Sequence, residues 1–442
     1  MRSFCTMGSC GLGASGLGVP SRVVTRRGYL RRPGDNGSVT TPSPTPTAGG
    51  RWLVGAAIVL LAVNLRVAVG SVGVVLEQVR DDLGMTATVA GVLTTLPVIC
   101  FAAFGVGSAG SVRRLGLHRS AALVLVLLTI GLVLRSVVHD ETVFLLCSVV
   151  ALAGAAVGNV ILPPLVKAHF PDRIALMSSL YGAALMGGAA AASVGTVPLA
   201  DAFGGWRPGI GLWAVLTGVA LVPWLLMLRR DVHTAPVDEE RLPMRAVARS
   251  PLAWAMLLVF AAQSAAAYAQ FGWFPEMLGD AGVSSGYAGA LLGLLSAVGI
   301  PLTLGLPWLI ARVGDRPHLP WGFAALTAAG WLGVLLAPST LPWLWAILLG
   351  LGGGAFTWTL TMIARRTRTT AGTATLSVTT QGLGYLLAGI GPFGVGALHD
   401  MTGSWDAPII ALMLLTVVIA VAGTVVARPV MLEDTLVRPV HD

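Results

Sequence analysis

The chain has 442 residues, of which 55% are hydrophobic and only 11% are charged, and its mean hydropathy is +0.80. These values exclude an ordinary soluble globular protein and are typical of a protein that crosses a membrane many times. The formal net charge of +8 does not indicate a nucleic-acid partner, because the basic residues flank apolar segments, where they orient the chain in the membrane.

The first segment, residues 1–50, is predicted to be a disordered cytoplasmic tail. It is rich in Gly, Ser, Thr, Pro and Arg and has no apolar periodicity. Of the four cysteines, two lie in this tail and two lie in apolar stretches, and they form no closely spaced motif. No metal site, redox site or other cofactor is therefore predicted.

Twelve apolar stretches follow the tail, and each is close to the roughly 20 residues that span a bilayer. They are predicted in two groups of six, in residues 51–228 and 251–428, joined by a cytoplasmic linker, 229–250, and followed by a cytoplasmic tail, 429–442. The predicted helices cover residues 52–75, 86–109, 117–137, 141–166, 173–196, 207–228, 251–274, 284–310, 318–337, 341–363, 373–397 and 407–427.

The distribution of basic residues predicts how these helices are oriented, because short cytoplasmic segments carry an excess of Lys and Arg. With the N-terminus inside, the outer connections hold Arg80, Arg135 and Arg207, and Arg66 lies within a helix. The remaining 24 of the 28 basic residues lie on the inner side. Both termini are therefore predicted to be cytoplasmic, in a multi-pass protein of the plasma membrane.

The two groups of six helices are similar to each other in sequence at an offset of about 198 residues. The matches include Gly84 with Gly282, Ala90 with Ala288, Gly91 with Gly289, Arg114 with Arg312, and Gly116 with Gly314. Two same-handed halves of this kind resemble the major facilitator architecture, in which the substrate binds near the midplane between the halves. The predicted fold class is an all-α membrane protein with twelve transmembrane helices in two six-helix halves.

Arg66, near the middle of the first predicted helix, is the most informative single residue. A charge at the centre of a membrane helix costs roughly 3 kcal/mol on insertion scales, and the guanidinium cannot shed its proton. All Asp and Glu residues are predicted to lie in tails or in connections between helices, with Glu77 and Glu276 closest to an apolar segment. We therefore expect an anionic or strongly polar substrate to be the partner of Arg66 during part of a transport cycle.

Other polar residues lie on predicted helices that line the central cavity in the major facilitator architecture, or on the fifth and eleventh helices. Each of them is also compatible with helix packing, because amides and hydroxyls commonly join transmembrane helices. The candidate substrate-binding residues, besides Arg66, are Asn64, Asn159, Tyr181, Gln263, Tyr268, Gln270, Thr357 and Gln381.

The turns after the second and eighth helices are predicted to take part in gating. They contain Arg114 in the first copy and Arg312, Asp315 and Arg316 in the second, and they look like degenerate copies of the facilitator gating motif. In the family such turns make charge contacts between the two bundles. If transport is coupled to protons, the candidate coupling residues are Glu77 and Glu276, because all seven histidines are predicted to lie in loops or tails.

From residue 51 to residue 428 the chain resembles the cyanate permease and 2-nitroimidazole transporter family of the major facilitator superfamily. The resemblance rests on motifs in the first, second, fourth and fifth helices and the turns beside them. These are Asn64-Leu65-Arg66, Thr94-Thr95-Leu96-Pro97-Val98, Gly158-Asn159-Val160, Phe170-Pro171-Asp172-Arg173 and Gly205-Trp206-Arg207. The resemblance implies transport of a small anion or a small polar heteroaromatic, with Arg66 as the first residue of the site.

The predicted function is secondary transport of a small anionic or polar solute by alternating access. The alternative within transport is efflux of hydrophobic drugs, which favours an apolar cavity with an acidic membrane residue. A receptor or membrane enzyme is the distant alternative, because the sequence has no nucleotide-binding loop and no nucleophile with a paired base. The predicted partners are a small-molecule substrate, protons as a candidate coupling ion, and the lipid bilayer, with the protein as a monomer.

Overall fold

The computed structural model describes residues 48–105, 115–228, 247 and 249–436. Most of the predicted N-terminal tail, most of the linker, the last six residues and Arg114 lie outside this part of the chain. The described chain contains twelve helices that are long and apolar enough to cross a membrane, which confirms the predicted all-α class and the helix count.

We number the membrane helices α1 to α12. The first six are α1 (Ala48–Gly73), α2 (Ala87–Cys100, continued by the π-helical Phe101–Gly105), α3 (Leu117–Val137), α4 (Glu141–His169), α5 (Ile174–Phe203) and α6 (Trp206–Gly211 and Trp213–Met227). A short helix, Leu76–Leu83, connects α1 to α2.

The second six are described in the same way. They are α7 (Pro251–Asp280), α8 (Ser285–Val313), α9 (His318–Leu336), α10 (Pro342–Gly352 and Gly354–Arg365), α11 (Thr370–Val378, the π-helical Thr379–Leu383, Gly384–Ala388 and Ile390–Thr402) and α12 (Asp406–Ala427). Helix α7 runs six residues beyond the predicted end at 274, and it takes Glu276 into the membrane span.

Side-chain caps fix where several of these helices begin. The hydroxyl of Thr86 accepts a hydrogen bond from the backbone N–H of Val89 at the start of α2, and Asp140 accepts one from Val143 at the start of α4. Such caps satisfy amide donors that have no partner within the helix. Helix α5 ends at Gly204, whose φ of 84° is left-handed. Glycine adopts this conformation without strain, and it terminates the helix.

Small residues let the helices approach closely within each half. A Cβ atom added to Gly188 of α5 would lie 2.0 Å from the carbonyl oxygen of Val63 in α1. A Cβ atom added to Gly131 of α3 would lie 2.6 Å from Ala151 of α4. Backbone contact of this kind replaces the hydrophobic driving force that lipid cannot supply between membrane helices.

The two halves are in contact at the far ends of several helices, on the side of the membrane that we call the far side because α1 ends there. Helix α1 begins on the near side. Arg80 forms an ion pair with Glu276 of α7. The backbone N–H of Thr88 donates to a carboxylate oxygen of Asp400 in α11, at 2.6 Å. Both contacts join the first half to the second at the far ends of the helices.

Glycine backbones tighten the same far-side contact. A Cβ atom added to Gly73 at the end of α1 would lie 1.7 Å from the carbonyl oxygen of Phe271 in α7. A Cβ atom added to Gly396 of α11 would lie 2.7 Å from the carbonyl oxygen of Ala87 in α2. Real Cβ atoms do not approach other atoms this closely, so these two helix crossings require glycine.

Candidate functional site

Arg66 lies in the middle of α1, and only 7% of its surface is exposed. Its Nη1 donates a hydrogen bond to the hydroxyl oxygen of Tyr268 in α7, at 3.1 Å, so the guanidinium reaches across to the other half. Its Nε is buried and has no hydrogen-bond partner. In the part of the chain that the structure describes, no carboxylate lies within ion-pair distance of this guanidinium.

A neutral hydroxyl satisfies one donor of Arg66 but does not neutralise its charge. The ring of Phe101 lies 6.0 Å from the guanidinium carbon and supplies a weak cation–π attraction. A buried charge normally has an opposite charge or a dense hydrogen-bond network around it. Within the described residues, the charge of Arg66 is therefore not neutralised by an opposite charge.

Three aromatic residues, Phe101, Tyr385 and Phe260, form a cluster with Tyr268 beside Arg66. The rings of Phe101 and Tyr385 lie 5.2 Å apart at 33°, and Tyr268 lies 6.2 Å from Phe101 and 6.4 Å from Tyr385. Phe260 contacts Tyr385 edge-on at 4.9 Å. The site therefore presents flat aromatic faces beside a permanent cation.

Phe101 and Tyr385 were not among the sequence candidates. Phe101 begins the π-helical turn of α2, and Tyr385 follows the π-helical turn of α11. A π-helical turn inserts an extra residue and changes the direction in which the next side chains point, so helical periodicity does not predict where they lie. One feature of the sequence could have indicated Tyr385, since it lies one helical turn after the candidate Gln381.

Arg135 is a second buried guanidinium, and the prediction that it lies in an outer connection is wrong. It belongs to the last turn of α3 and is 1% exposed. Its Nε donates to the hydroxyl of Ser148 at 2.8 Å, and its Nη1 donates to the carbonyl oxygen of Ala68 in α1 at 2.9 Å. The predicted helix 117–137 already contained Arg135, so the error lay in counting this residue with the outer connection.

The candidate amides and hydroxyls outside α7 bond within their own helices. Asn64 donates to the carbonyl of Leu60, Asn159 donates to that of Ala155, and the amide of Gln381 donates to the hydroxyl of Ser377. The carbonyl of Thr357 accepts from Thr361, and Tyr181 is half-buried beside Ser178. None of these recorded contacts joins them to Arg66, although Asn64 is fully buried two residues before it on α1.

Two further candidates flank Tyr268 on α7. Gln263 and Gln270 are both buried, each with 5% of its surface exposed. They lie seven residues apart, which places them on one face of the helix. They are about 10 Å apart along the axis of α7, and both lie on the side of the helix away from Tyr268.

The second gating copy makes its ion pairs within one half, whereas the resemblance implies contacts between bundles. Asp315, after α8, accepts from Arg365 at 3.0 Å and from Arg366 at 2.8 Å, both at the end of α10. Burial raises the pKa of Asp315, but the hydrogen bonds and charges of Arg366 and Arg365 outweigh it and hold that pKa below its ordinary value. Arg312 stacks on Trp308 at 4.0 Å, and Arg316 is exposed.

The prediction that every acidic residue lies outside the helices is wrong for Glu276. Its side chain is 6% exposed within α7, and the ion pair with Arg80 supplies its counter-charge. Its second oxygen is buried without a hydrogen-bond partner. Glu77, the other candidate for proton coupling, is exposed and lies close enough to interact with Glu276 electrostatically.

Within residues 48–105 and 115–436, apart from 229–246 and 248, no group of three His, Cys, Asp or Glu side chains could hold a metal ion. The chemical resources of the site are therefore two guanidiniums, two tyrosine hydroxyls, aromatic faces and amides. Groups of these types are able to bind and orient a polar solute.

The proteins that this chain resembles are all transporters, and the matching family model is that of one transporter superfamily. The pattern of the Major Facilitator Superfamily matches residues 53–392. An uncharacterized transporter of Bacillus subtilis (strain 168) is 35% identical over 84% of this chain and 92% of its own length. The 2-nitroimidazole transporter of Escherichia coli (strain K12) is 32% identical over 88% of this chain and 98% of its own length. The cyanate transport protein of the same organism is 29% identical over 79% of this chain and 90% of its own length.

Solved structures agree with this on the fold. A bacterial homologue of the human lysosomal transporter Spinster, crystallised in an inward-facing and unoccupied conformation, superposes with a TM-score of 0.73. It covers 90% of this chain and all of its own, at 15% identity. A likeness at this identity concerns the arrangement of the helices.

Proposed function

Because the chain belongs to the Major Facilitator Superfamily and is a transporter of that type, we propose that it carries a small anionic or small polar heteroaromatic solute. The observation that carries the proposal is the state of Arg66: a buried, permanent cation whose one recorded hydrogen bond goes to a neutral tyrosine hydroxyl. An anion entering the site replaces that hydroxyl and removes the cost of an unneutralised charge.

The aromatic faces beside Arg66 favour a flat or rod-shaped solute. A planar π-system stacks on Phe101 or Tyr385 while its polar edge meets the guanidinium. The buried amides of Gln263 and Gln270 on α7 are proposed as further solute contacts. This combination suits both solutes named for the relatives, cyanate and 2-nitroimidazole.

Transport by alternating access requires the two halves to separate on one side while they meet on the other. The halves meet here on the far side, through the Arg80–Glu276 ion pair and the backbone contact at Gly73. The basic residues support a cytoplasmic near side, so this state is proposed to admit solute from the cytoplasm. The opposite state is reached when the far-side contacts break.

Glu276 is the better of the two proposed coupling residues. It is buried between the halves, whereas Glu77 is exposed, and protonation of Glu276 removes the ion pair with Arg80. Loss of a buried ion pair weakens a contact by several kcal/mol, on the order of 3–5 for one partner removed. Proton arrival on the far side is therefore proposed to favour opening there.

Uptake by purified protein in liposomes tests the proposed solute class. The substrates to compare are labelled cyanate, 2-nitroimidazole and a lipophilic cationic dye. We expect saturable uptake of cyanate or 2-nitroimidazole that unlabelled anions inhibit, with no dye uptake above protein-free liposomes. Saturable transport of the dye without transport of either small solute would overturn the proposal in favour of drug efflux.

A further inference from the structure

A small cavity lies between α1 and α7 on the far side of Arg66. Its wall on α1 consists of Ala68, Val69, Val72 and Gly73, all of which follow Arg66 toward the far side. Tyr268, the hydrogen-bond partner of Arg66, also lines the cavity. The cavity therefore adjoins the Arg66 site and extends from it toward the far-side closure.

The far end of the cavity is closed by backbone contact between the two halves. Gly73 and Gly272 line it, and a Cβ atom at Gly73 would overlap the carbonyl oxygen of Phe271. A Cβ atom at Gly272 would lie 2.5 Å from the side chain of Thr94 in α2. Under the proposed alternating access, separation of the halves on the far side would break this contact and would connect the cavity to the far side.

Arg135 also lines this cavity, and it is the feature that a helix-packing role does not explain. A serine or a glutamine satisfies a backbone carbonyl without bringing a permanent charge into the membrane. Among the described residues, the recorded partners of the Arg135 guanidinium are Ser148, the Ala68 carbonyl and the Phe144 ring at 5.9 Å, and none of them is an anion. Those two hydrogen bonds use two of the five N–H donors of a guanidinium.

We propose that Arg135 and Tyr268 form a second anion subsite, on the far side of Arg66, that a small anion occupies between the closure at Gly73 and the central site. This inference rests on the proposed anion transport. Two cations in sequence along a path of low dielectric attract the anion inward from water and let it pass from one to the other. Tyr268 accepts from Arg66 and keeps its own hydroxyl proton, so it can donate to an anion held beside Arg135.

Equilibrium binding of cyanate to purified Arg66→Ala and Arg66→Ala/Arg135→Gln variants tests the subsite. Urea, small, polar and uncharged, serves as the neutral probe. We expect Arg66→Ala to keep saturable cyanate binding that is weaker by about tenfold or more, and the double variant to lose saturable binding. Urea should not distinguish the two variants.

Two controls separate a subsite from a structural role. Arg207→Gln removes the same charge at the far side of α6 but does not line the cavity, and it should leave cyanate affinity within about twofold of the wild type. Arg135→Lys keeps the charge and loses the planar fork, and in the Arg66→Ala background it should retain part of the cyanate binding that Arg135→Gln abolishes.

The failure of this inference is distinguishable from failure of the proposed function. Equal cyanate binding by Arg66→Ala and the double variant, both folded by circular dichroism, overturns the subsite. Loss of all binding in Arg66→Ala together with unchanged affinity in Arg135→Gln overturns it too and leaves the central site intact. Unchanged binding in Arg66→Ala with a loss in Arg135→Gln contradicts the assigned role of Arg66 and supports the subsite.

Discussion

Tyr268 and Arg66 belong to different halves of the protein, and the hydroxyl oxygen of Tyr268 accepts a hydrogen bond from the Arg66 guanidinium at 3.1 Å. The pair therefore joins the two halves. If Arg66 binds an anionic solute, as proposed, the solute competes with this hydrogen bond and so affects the contact between the halves.

Tyr268→Phe is expected to destabilise the empty protein and to strengthen its response to an anion. The substitution leaves a buried guanidinium N–H without an acceptor, at a cost of about 1–3 kcal/mol. A bound anion supplies a new acceptor, so saturating cyanate should narrow the difference in thermal midpoint between variant and wild type. Tyr287→Phe, at a half-exposed tyrosine of α8, is the matched control and should not change the midpoint. A Tyr268→Phe variant that melts like the wild type would show that this hydrogen bond does not stabilise the empty state.

Gly73→Ala is expected to prevent closure on the far side. The added methyl group would lie 1.7 Å from the carbonyl oxygen of Phe271, so α1 and α7 must move apart. A reporter cysteine, Val72→Cys, lines the cavity and is buried in the closed state. With the native cysteines replaced by alanine, a membrane-impermeant maleimide applied from the far side should label it faster in the Gly73→Ala protein.

The control for that experiment is Gly187→Ala on α5, where an added Cβ atom meets nothing within 4 Å. It should leave the labelling rate unchanged. Equal labelling of the Gly73→Ala and Gly187→Ala proteins means that the glycine contact does not hold the far side closed.

Glu276→Gln is expected to remove the pH dependence of uptake. The variant cannot form the ion pair with Arg80, so the far-side contact is weak at every pH. Wild-type uptake should rise as the far-side pH falls, because protonation of Glu276, like its replacement by Gln, removes the negative charge that pairs with Arg80. Glu77→Gln, at an exposed carboxylate, should keep the wild-type profile. A profile lost in Glu77→Gln and kept in Glu276→Gln reverses the assignment.

The ion pairs of Asp315 with Arg365 and Arg366 are expected to stabilise the folded protein at neutral pH and to lose this effect in acid. Its pKa is lowered in the folded protein, so its ion pairs contribute fully above the ordinary carboxyl pKa, about 3.9, and are lost as the pH falls through the lowered folded value. At pH 7, Asp315→Asn should cost about 1–3 kcal/mol, because Arg366 is 1% exposed and loses a charged acceptor. The difference from the wild type should shrink in acid.

The matched control is Asp434→Asn, which removes an ion pair between two half-exposed side chains, Asp434 and Arg368. Exposed pairs contribute about 0–1 kcal/mol, so this variant should melt close to the wild type at pH 7. Thermal melts of both variants in detergent at neutral and acid pH provide the comparison. An Asp315→Asn deficit that persists unchanged below the folded pKa contradicts the ionic origin of the effect.

The sequence was sufficient to predict the twelve helices and the burial of Arg66, because length, hydropathy and a charge in the middle of an apolar stretch are properties of a single segment. It was insufficient for the residues around Arg66. Phe101 and Tyr385 reach the site through π-helical turns, which break the 3.6-residue period on which face assignments depend. Their positions depend on packing between α2 and α11, which are almost three hundred residues apart in the chain.

The surroundings of Arg135 and Glu276 were missed for a related reason. The predicted helix 117–137 already contained Arg135, whereas the predicted seventh helix ended at 274, before Glu276, and each charge is accommodated by a partner from another part of the chain. Arg135 donates to Ser148 and to the Ala68 carbonyl, and Glu276 pairs with Arg80. Such tertiary compensation does not appear in the local pattern of residues, so a single sequence does not reveal it.

Uptake of labelled cyanate into liposomes by the wild type, Arg66→Lys and Arg66→Ala tests the central claim most directly. The account predicts that Arg66→Ala lowers uptake by at least about tenfold, since removing one partner of a buried charge pair costs about 2–5 kcal/mol, and that Arg66→Lys retains an intermediate rate. Equal uptake by the wild type and a folded Arg66→Ala protein would contradict the claim that the solute is the counter-charge of Arg66.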